Sequence, residues 1–252
     1  MSAPSDYYEN DTTLAQYLEF HYGEPWHGEA NFPKELAQAA LDALNGRSAC
    51  RALDIGCAVG RTTLELARYF DHVDGVDYSQ TFVEACRKVV REGAARYARP
   101  EEGELVSYQE RPLAALGLGE LAQKVAFHQG DACALSPEYR DYDLVLAGNL
   151  IDRLYRPSLF LSAIHERIND LGLLLIASPY TWLEDYTPKS EWVGGYLKDG
   201  EPFTTLDGLK AQLAPHFRLL GEPRSLPFVI RETRNKYQHS FSEITLWEKL
   251  PS

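Results

Sequence analysis

Two glycines, Gly56 and Gly60, frame the stretch LDIGCAVGRTT, where an apolar strand-like segment turns through the small residues Cys57 and Ala58 into a helix-like one. A missing Cβ allows a tight turn and lets a ligand approach the backbone amides at a helix start, which makes this turn a candidate nucleotide cradle. Asp54 lies on the strand that enters the turn. Asp77, with Tyr78 beside it, ends the next strand in VDGVDYS, 17 residues after Gly60. That is near the separation at which an acidic residue meets ribose hydroxyls. Asp131 and Ala132, in QGDA, end a third strand, where a carboxylate can accept from an exocyclic adenine amine and the Ala132 amide can face the ring. Asn149, in AGNLID, ends a fourth, where the reacting end of a cofactor would lie. Each signal alone is weak, because an Asp at a strand end is commonly a turn former and Asp77 can also serve the helix that starts near Ser79.

Taken together, these residues discriminate between ligands. No GKS or GKT follows the turn, which excludes a P-loop. The three-glycine dinucleotide fingerprint is broken by Ala58, and no second nucleotide-binding half follows, so NAD is the weaker alternative. Two carboxylates, a turn without a phosphate-seeking Lys and an adjacent Asn suit a nucleoside with an uncharged linker, and S-adenosylmethionine is the cofactor they suggest.

The elements that must position these residues alternate. CRALDIG reads as a buried strand, GRTTLELARYF as a helix, HVDGVDYS as a strand and SQTFVEACRKVVREG as a helix ending near Gly93. That order predicts a parallel sheet with right-handed crossovers. Residues 93–123 break the rhythm and read as an insertion, a strand or hairpin followed by a short helix. The alternation resumes with KVAFHQGDA, YDLVLAGNLI, SLFLSAIHERI and GLLLIASPY, then a helix in TTLDGLKAQLAPHF and two closing strand segments. The expected fold is Rossmann-like α/β: a seven-stranded, mostly parallel sheet with helices on both faces, ending in a β-hairpin. The chain reads as a single domain over 1–252. Residues 1–47 form an N-terminal helical and aromatic cap, 48–180 the cofactor-binding core, and 181–252 the substrate-side elements and last strands.

Bulk properties narrow the partners. A net charge of -12 argues against nucleic acid, whose phosphates call for clustered Lys and Arg. No run of 18 apolar residues suggests a membrane span, and the N-terminal MSAPSDYYENDTTL lacks a basic n-region and an apolar h-region, so a cytoplasmic location is expected. The four cysteines, Cys50, Cys57, Cys86 and Cys133, form no CxxC pair and have no His at ligand spacing, so no metal is expected. A small-molecule substrate and a monomer or homodimer complete the expectation.

The motifs ALDIGCAVGRTT, VDGVDYS, GDA and YDLVLAGNLIDRL together resemble those of class I S-adenosylmethionine-dependent methyltransferases over about residues 50–180. Ala58 departs from the common D-x-G-x-G-x-G pattern by one methyl group. Across nearly the whole chain, YYENDTTLAQYLEFHYG, QGDACAL, GNLIDRLYRP, SPYTWLEDYTP with WVGG, and ETRNKYQHSFSE are similar to the 5-thiohistidine N-methyltransferase family of ovothiol biosynthesis. The resemblance implies methylation of the imidazole Nπ of 5-thiohistidine to ovothiol A, with S-adenosylhomocysteine as the second product. Two rivals stay open: a class I enzyme for another small molecule, and a non-catalytic S-adenosylmethionine-binding module.

An amino-acid acceptor needs a cation for its carboxylate and hydrogen-bonding groups around its ring. On that ground the substrate-binding candidates are Tyr7, Tyr8, Arg153, Tyr180, Trp182, Arg231, Arg234, Tyr237 and His239, and the catalytic candidates are Asn149, Asp152 and His239. The cofactor-binding candidates are Tyr22, Asp54, Gly56, Cys57, Ala58, Gly60, Asp77, Tyr78, Asp131, Ala132 and Asn149. Trp182 and Trp192 suit packing equally well, and Arg153 suits a surface ion pair.

Overall fold

A computed structural model describes residues 8–47 and 49–251. Tyr7 lies outside the described residues. Helix α1 (Asp11–Tyr22) starts at Asn10, whose side chain accepts from the Thr13 amide at 2.9 Å. Helix α2 (Phe32–Leu44) starts at Asn31 in the same way, with Pro33 in its first turn. Strand β1 (Arg51–Ile55), helix α3 (Arg61–Leu66), strand β2 (His72–Asp77) and helix α4 (Gln80–Glu92) follow, and α4 runs from the Ser79 cap to Gly93 at φ +68°. The insertion is a hairpin, β3 (Ala94–Glu102) and β4 (Leu105–Pro112), followed by a 3-10 turn over Gly119–Lys124.

Strands β5 (Val125–Gln129) and β6 (Tyr142–Gly148), helix α5 (Pro157–Ala163) and strand β7 (Ile168–Ser178) restore the alternation. A small hairpin that the sequence did not announce, β8 (Tyr196–Lys198) and β9 (Glu201–Phe203), precedes α6 (Thr205–Leu213). Strands β10 (Phe217–Leu219), β11 (Arg224–Thr233) and β12 (Lys236–Lys249) end the chain.

Five strands run parallel in the order β5-β2-β1-β6-β7, and β12 joins β7 antiparallel, as expected for a parallel sheet closed by a terminal hairpin. The sheet holds eight strands rather than seven because its last position is split. Segments β10 and β11 pair with successive stretches of β12, separated by Gly221 at φ +66°. Side-chain alternation gives the sheet two apolar faces. Leu53, Ile55, Val145 and Ile176 pack with α5 and α6, whereas Ala52, Leu144, Leu146 and Leu175 pack with α2 and α3. The chain leaves the sheet centre in one direction through β1, β2 and β5 and returns through β6 and β7. The strand order therefore reverses between β1 and β6, where open sheets of this type bind ligands.

The cap is fastened by the insertion. Glu19 on α1 is buried and accepts from the Tyr97 hydroxyl at 2.6 Å and from Arg99 at 3.3 Å, both on β3. Burial, followed by the Glu19 carboxylate, raises the Tyr97 phenol above its ordinary range, so it stays a donor. Tyr97→Phe leaves that buried carboxylate short of a hydrogen bond, and a loss of about 2 kcal/mol is expected in urea denaturation, with faster amide exchange along α1.

Candidate functional site

The turn after β1 is left-handed at three positions: Gly56 at φ +74°, Ala58 at φ +47° and Gly60 at φ +86°. The strand beside it holds the turn in place. Val76 O accepts from the amides of Gly56 at 2.8 Å and Cys57 at 3.1 Å, and the Asp77 carboxylate accepts from the Ala58 amide at 2.8 Å. Ala58 thus occupies the missing-glycine position with a glycine-like backbone, tolerated because its amide is tied down. Gly60 serves packing, since a Cβ there would lie 2.8 Å from the Phe127 ring. From below, Tyr22 donates to Val59 O at 2.8 Å. Tyr22 is 1% exposed and lies beneath the turn rather than in the cleft.

A cleft of about 1260 Å³, mouth included, opens at the ends of β1, β2, β5 and β6. Asp54, Gly56, Cys57, Ala58, Asp77, Tyr78, Asp131, Ala132, Asn149, Arg153 and Tyr8 line it, which brings together most of the residues nominated from sequence. Asp77 also accepts from the Ser79 amide at 2.9 Å, so its turn-holding and cleft-facing roles coexist. Asp131 caps the turn that follows β5 through the Cys133 amide at 2.8 Å and receives the Tyr155 hydroxyl at 3.0 Å. Burial raises the Asp54 carboxyl to about 7, against the pull of a 2.7 Å hydrogen bond from Thr63. Burial likewise raises Asp77 to about 6, against the Ser79 and Ala58 amides. Two desolvated carboxyls at adjacent strand ends, without a free cation at the turn, suit ribose hydroxyls and a cationic arm rather than phosphate. Arg61 is occupied by Glu65, at 2.6 Å and 2.8 Å.

The roof of the cleft comes from α1 and α2: Tyr17, Phe20, His21, Phe32 and Leu36. Tyr17, Phe20 and His21 recur at helical spacing on one face of α1, the signal by which they are legible in the sequence. Tyr22, one residue further, turns about 100° away and into the core. Tyr8 packs against Tyr17 at 6.0 Å, Phe82 at 5.7 Å and Tyr186 at 6.4 Å.

Beyond β6, Asn149 sits at φ +51°, its amide bonded to Ala177 O and its Oδ1 receiving the Ser242 hydroxyl at 2.6 Å. Arg153 is the only Lys or Arg among the described cleft-lining residues. Its guanidinium lies 4.9 Å from the centre of the Tyr186 ring and donates to Thr181 O at 3.0 Å. Asp152, beside it, is fully buried outside the cleft. It accepts from Ser178 Oγ at 3.1 Å and from the Thr181 amide, Thr181 Oγ1 and Arg153, each at 3.0 Å. Four donors around an inaccessible carboxylate make Asp152 a clamp on the loop after β7, which corrects its nomination as a base.

The remaining nominees lie outside the cleft lining. Arg231 is 4% exposed and spans to β3 through Pro100 O at 2.6 Å and Glu101 at 2.5 Å, and Arg234 reaches the same Glu101 at 3.5 Å. Tyr237 packs on Trp26 and His27, and His239 faces Glu29 at 3.3 Å, stacked on Phe241. Tyr180 donates to Glu243 at 2.9 Å. Trp182 donates to Thr205 Oγ1 at 2.9 Å and stacks on Trp192. These side chains join the hairpin, the cap and the late loops to one another. Among the described residues, no group of three or more His, Cys, Asp or Glu is arranged to hold a metal ion, and no helix is long and apolar enough to cross a membrane. Asp152→Asn turns a donor toward donors. A loss of about 2–4 kcal/mol in denaturant midpoint experiments is expected, with S-adenosylhomocysteine affinity of the folded fraction unchanged at low temperature.

Residues 53–176 match a family model described as a methyltransferase domain. No curated protein matches the chain. Among solved structures, the [4+2]-cyclase SpnF superposes with a TM-score of 0.61 at 15% identity, over 100% of this chain and 99% of that one. A structure concerned with conversion of a disulfide bond into a thioacetal group during echinomycin biosynthesis gives 0.58 at 18%, over 95% and 90%. The N-methyltransferase NodS from Bradyrhizobium japonicum WM9, in complex with S-adenosyl-L-homocysteine, gives 0.53 at 13%, over 95% and 99%. At such identities the superpositions speak for the fold. The family match runs from within β1 to within β7 and takes in the ends of β1, β2, β5 and β6 at which the cleft opens, and residues 53–176 are accordingly a methyltransferase domain of class I, the S-adenosylmethionine-dependent kind.

Proposed function

We propose that the protein methylates the imidazole Nπ of 5-thiohistidine, using S-adenosylmethionine and yielding ovothiol A. The observation that carries this reading is Arg153, a single cation on the wall of a cleft roofed by aromatic and aliphatic side chains, next to Asn149 at the end of β6. A guanidinium suits an amino-acid carboxylate, and flat apolar walls suit an imidazole ring. The whole-length motif resemblance supports the same acceptor. The cofactor residues in this reading are Asp54, the 56–58 turn, Asp77, Tyr78, Asp131 and Ala132, and the acceptor residues are Tyr8, Asn149 and Arg153.

Bound S-adenosylmethionine supplies an electrophilic methyl group, and the chain's own residues supply positioning and dryness. Arg153, held by Asp152 and Thr181, fixes the acceptor's carboxylate. The cap aromatics exclude water above it. No accessible base stands among the nominated catalytic residues, because Asp152 is enclosed by donors and His239 lies outside the cleft lining. With none of them placed to take it, the acceptor's surplus proton would pass to solvent.

Incubation with S-adenosylmethionine and either 5-thiohistidine or histidine, read by mass, tests the acceptor: methylated 5-thiohistidine is expected, and product from histidine alone would overturn the assignment. Arg153→Lys in the same assay should raise the acceptor KM about tenfold or more while S-adenosylhomocysteine affinity holds. Cofactor binding carries a pH signature of its own. With Asp54 at about 7 and Asp77 at about 6 in the free protein, a cationic ligand favours both ionised forms and binding releases protons. Affinity for S-adenosylmethionine should therefore fall as pH drops below about 7 and level off above it, and calorimetry in buffers of different ionisation enthalpy counts the protons released.

A further inference from the structure

Among the polar groups that the cap contributes to the cleft, His21 is one that the reading above leaves unused. His21 lines the cleft from α1 and is 6% exposed. Its Nδ1 accepts from the Arg61 amide at 3.4 Å, immediately past the turn that follows β1. A ring nitrogen that accepts carries no proton, so the imidazole proton is on Nε2. Burial, and then the Arg61 cation, lower this ring to about 3, so it is neutral wherever the protein is folded and active. Among the described residues no protein group bonds Nε2, and Nε2 is not one of the sealed polar atoms without a partner. The donor therefore opens on the cleft.

The surroundings say what it meets. A ligand arm lying along the turn finds the local amides already engaged. Gly56 and Cys57 donate to Val76 O, Ala58 to Asp77, Gly60 to Cys57 O, and Arg61 to His21 itself. The Arg61 guanidinium is folded onto Glu65, and the carboxylates of Asp54 and Asp77 repel an anion. An anionic group at this end needs a donor from elsewhere. His21, whose ring is tied to the amide that follows the turn, is placed to provide one, and the buried Thr62 also lines the cleft.

We propose that His21 donates from Nε2 to the carboxylate of the cofactor's amino-acid arm, and that through this contact the cap senses an intact cofactor. The inference rests on the cofactor and not on the identity of the acceptor, so it stands or falls apart from the 5-thiohistidine reading. It is tested by binding, with S-adenosylhomocysteine and its decarboxylated analogue as paired probes. Removing the carboxylate should weaken binding to the unsubstituted protein about tenfold or more. His21→Leu should lose the same factor for S-adenosylhomocysteine and nothing for the decarboxylated analogue, and His21→Gln, which keeps an N–H near the Nε2 position, should recover most of the loss. Equal loss for both probes would show a merely structural role and overturn the proposal, as would full S-adenosylhomocysteine affinity in His21→Leu. Nitrogen NMR of the unsubstituted protein needs no variant. The Nε2-protonated tautomer should be present, and its proton should shift with S-adenosylhomocysteine but not with the decarboxylated probe; an Nδ1-protonated ring would refute the assignment.

Discussion

The site depends on the way the end of β2 holds the turn after β1. Val76 O and the Asp77 carboxylate between them take three consecutive amides of that turn. A turn bent through left-handed positions at 56, 58 and 60 has no regular ladder to satisfy its donors, and a neighbouring strand end is the only place from which they can be met. Once they are met, α3 starts at a defined point, the Arg61 amide is aimed at His21, and Tyr22 supports the turn from beneath. The same carboxylate that does this is desolvated by doing it, which is why it is poised to change charge when a ligand enters.

The two halves of the cleft are built differently. The side assigned above to the cofactor consists of strand ends whose positions are set by the parallel sheet, with Asp54, Asp77 and Asp131 at the ends of β1, β2 and β5. The side assigned above to the acceptor is assembled from α1, α2 and the segment after β6, held by side-chain bonds between distant parts of the chain such as Arg153 to Thr181. Rigidity on one side and side-chain ties on the other match the division between a ligand common to a large fold family and an acceptor particular to one member.

That division also explains what the sequence disclosed. Strand-end residues were legible because a strand, a turn and a helix start are local events, and position at a carboxyl end follows from element order alone. The insertion was legible from its broken periodicity, and it is the β3–β4 hairpin. Less legible were side chains whose role depends on what lies opposite them. Asp152 and Arg231 carry the charge a substrate would want, yet each is consumed by partners 26 to 131 residues away. On α1 the nomination fell on Tyr22 when Phe20 and His21 face the cleft: helical spacing groups Tyr17, Phe20 and His21 on one face, and the docking of the helix decides that this face, and not that of Tyr22, meets the cleft. The break at Gly221 that divides β10 from β11 lies in a segment expected to be strand throughout, although Gly221 and Pro223 carry the turn signal there.

The β3–β4 hairpin lies outside the main sheet, and a catalogue of folds would record it as an ornament. Its partners say otherwise. Glu19 of the cap, and Arg231 and Arg234 of the last hairpin, all terminate on it, through Tyr97, Arg99, Pro100 and Glu101. Shortening or grafting this loop would leave the parallel sheet in place while unlatching the roof of the cleft. For protein engineers the hairpin is thus a handle on the roof of the cleft that lies apart from the strand ends beneath it.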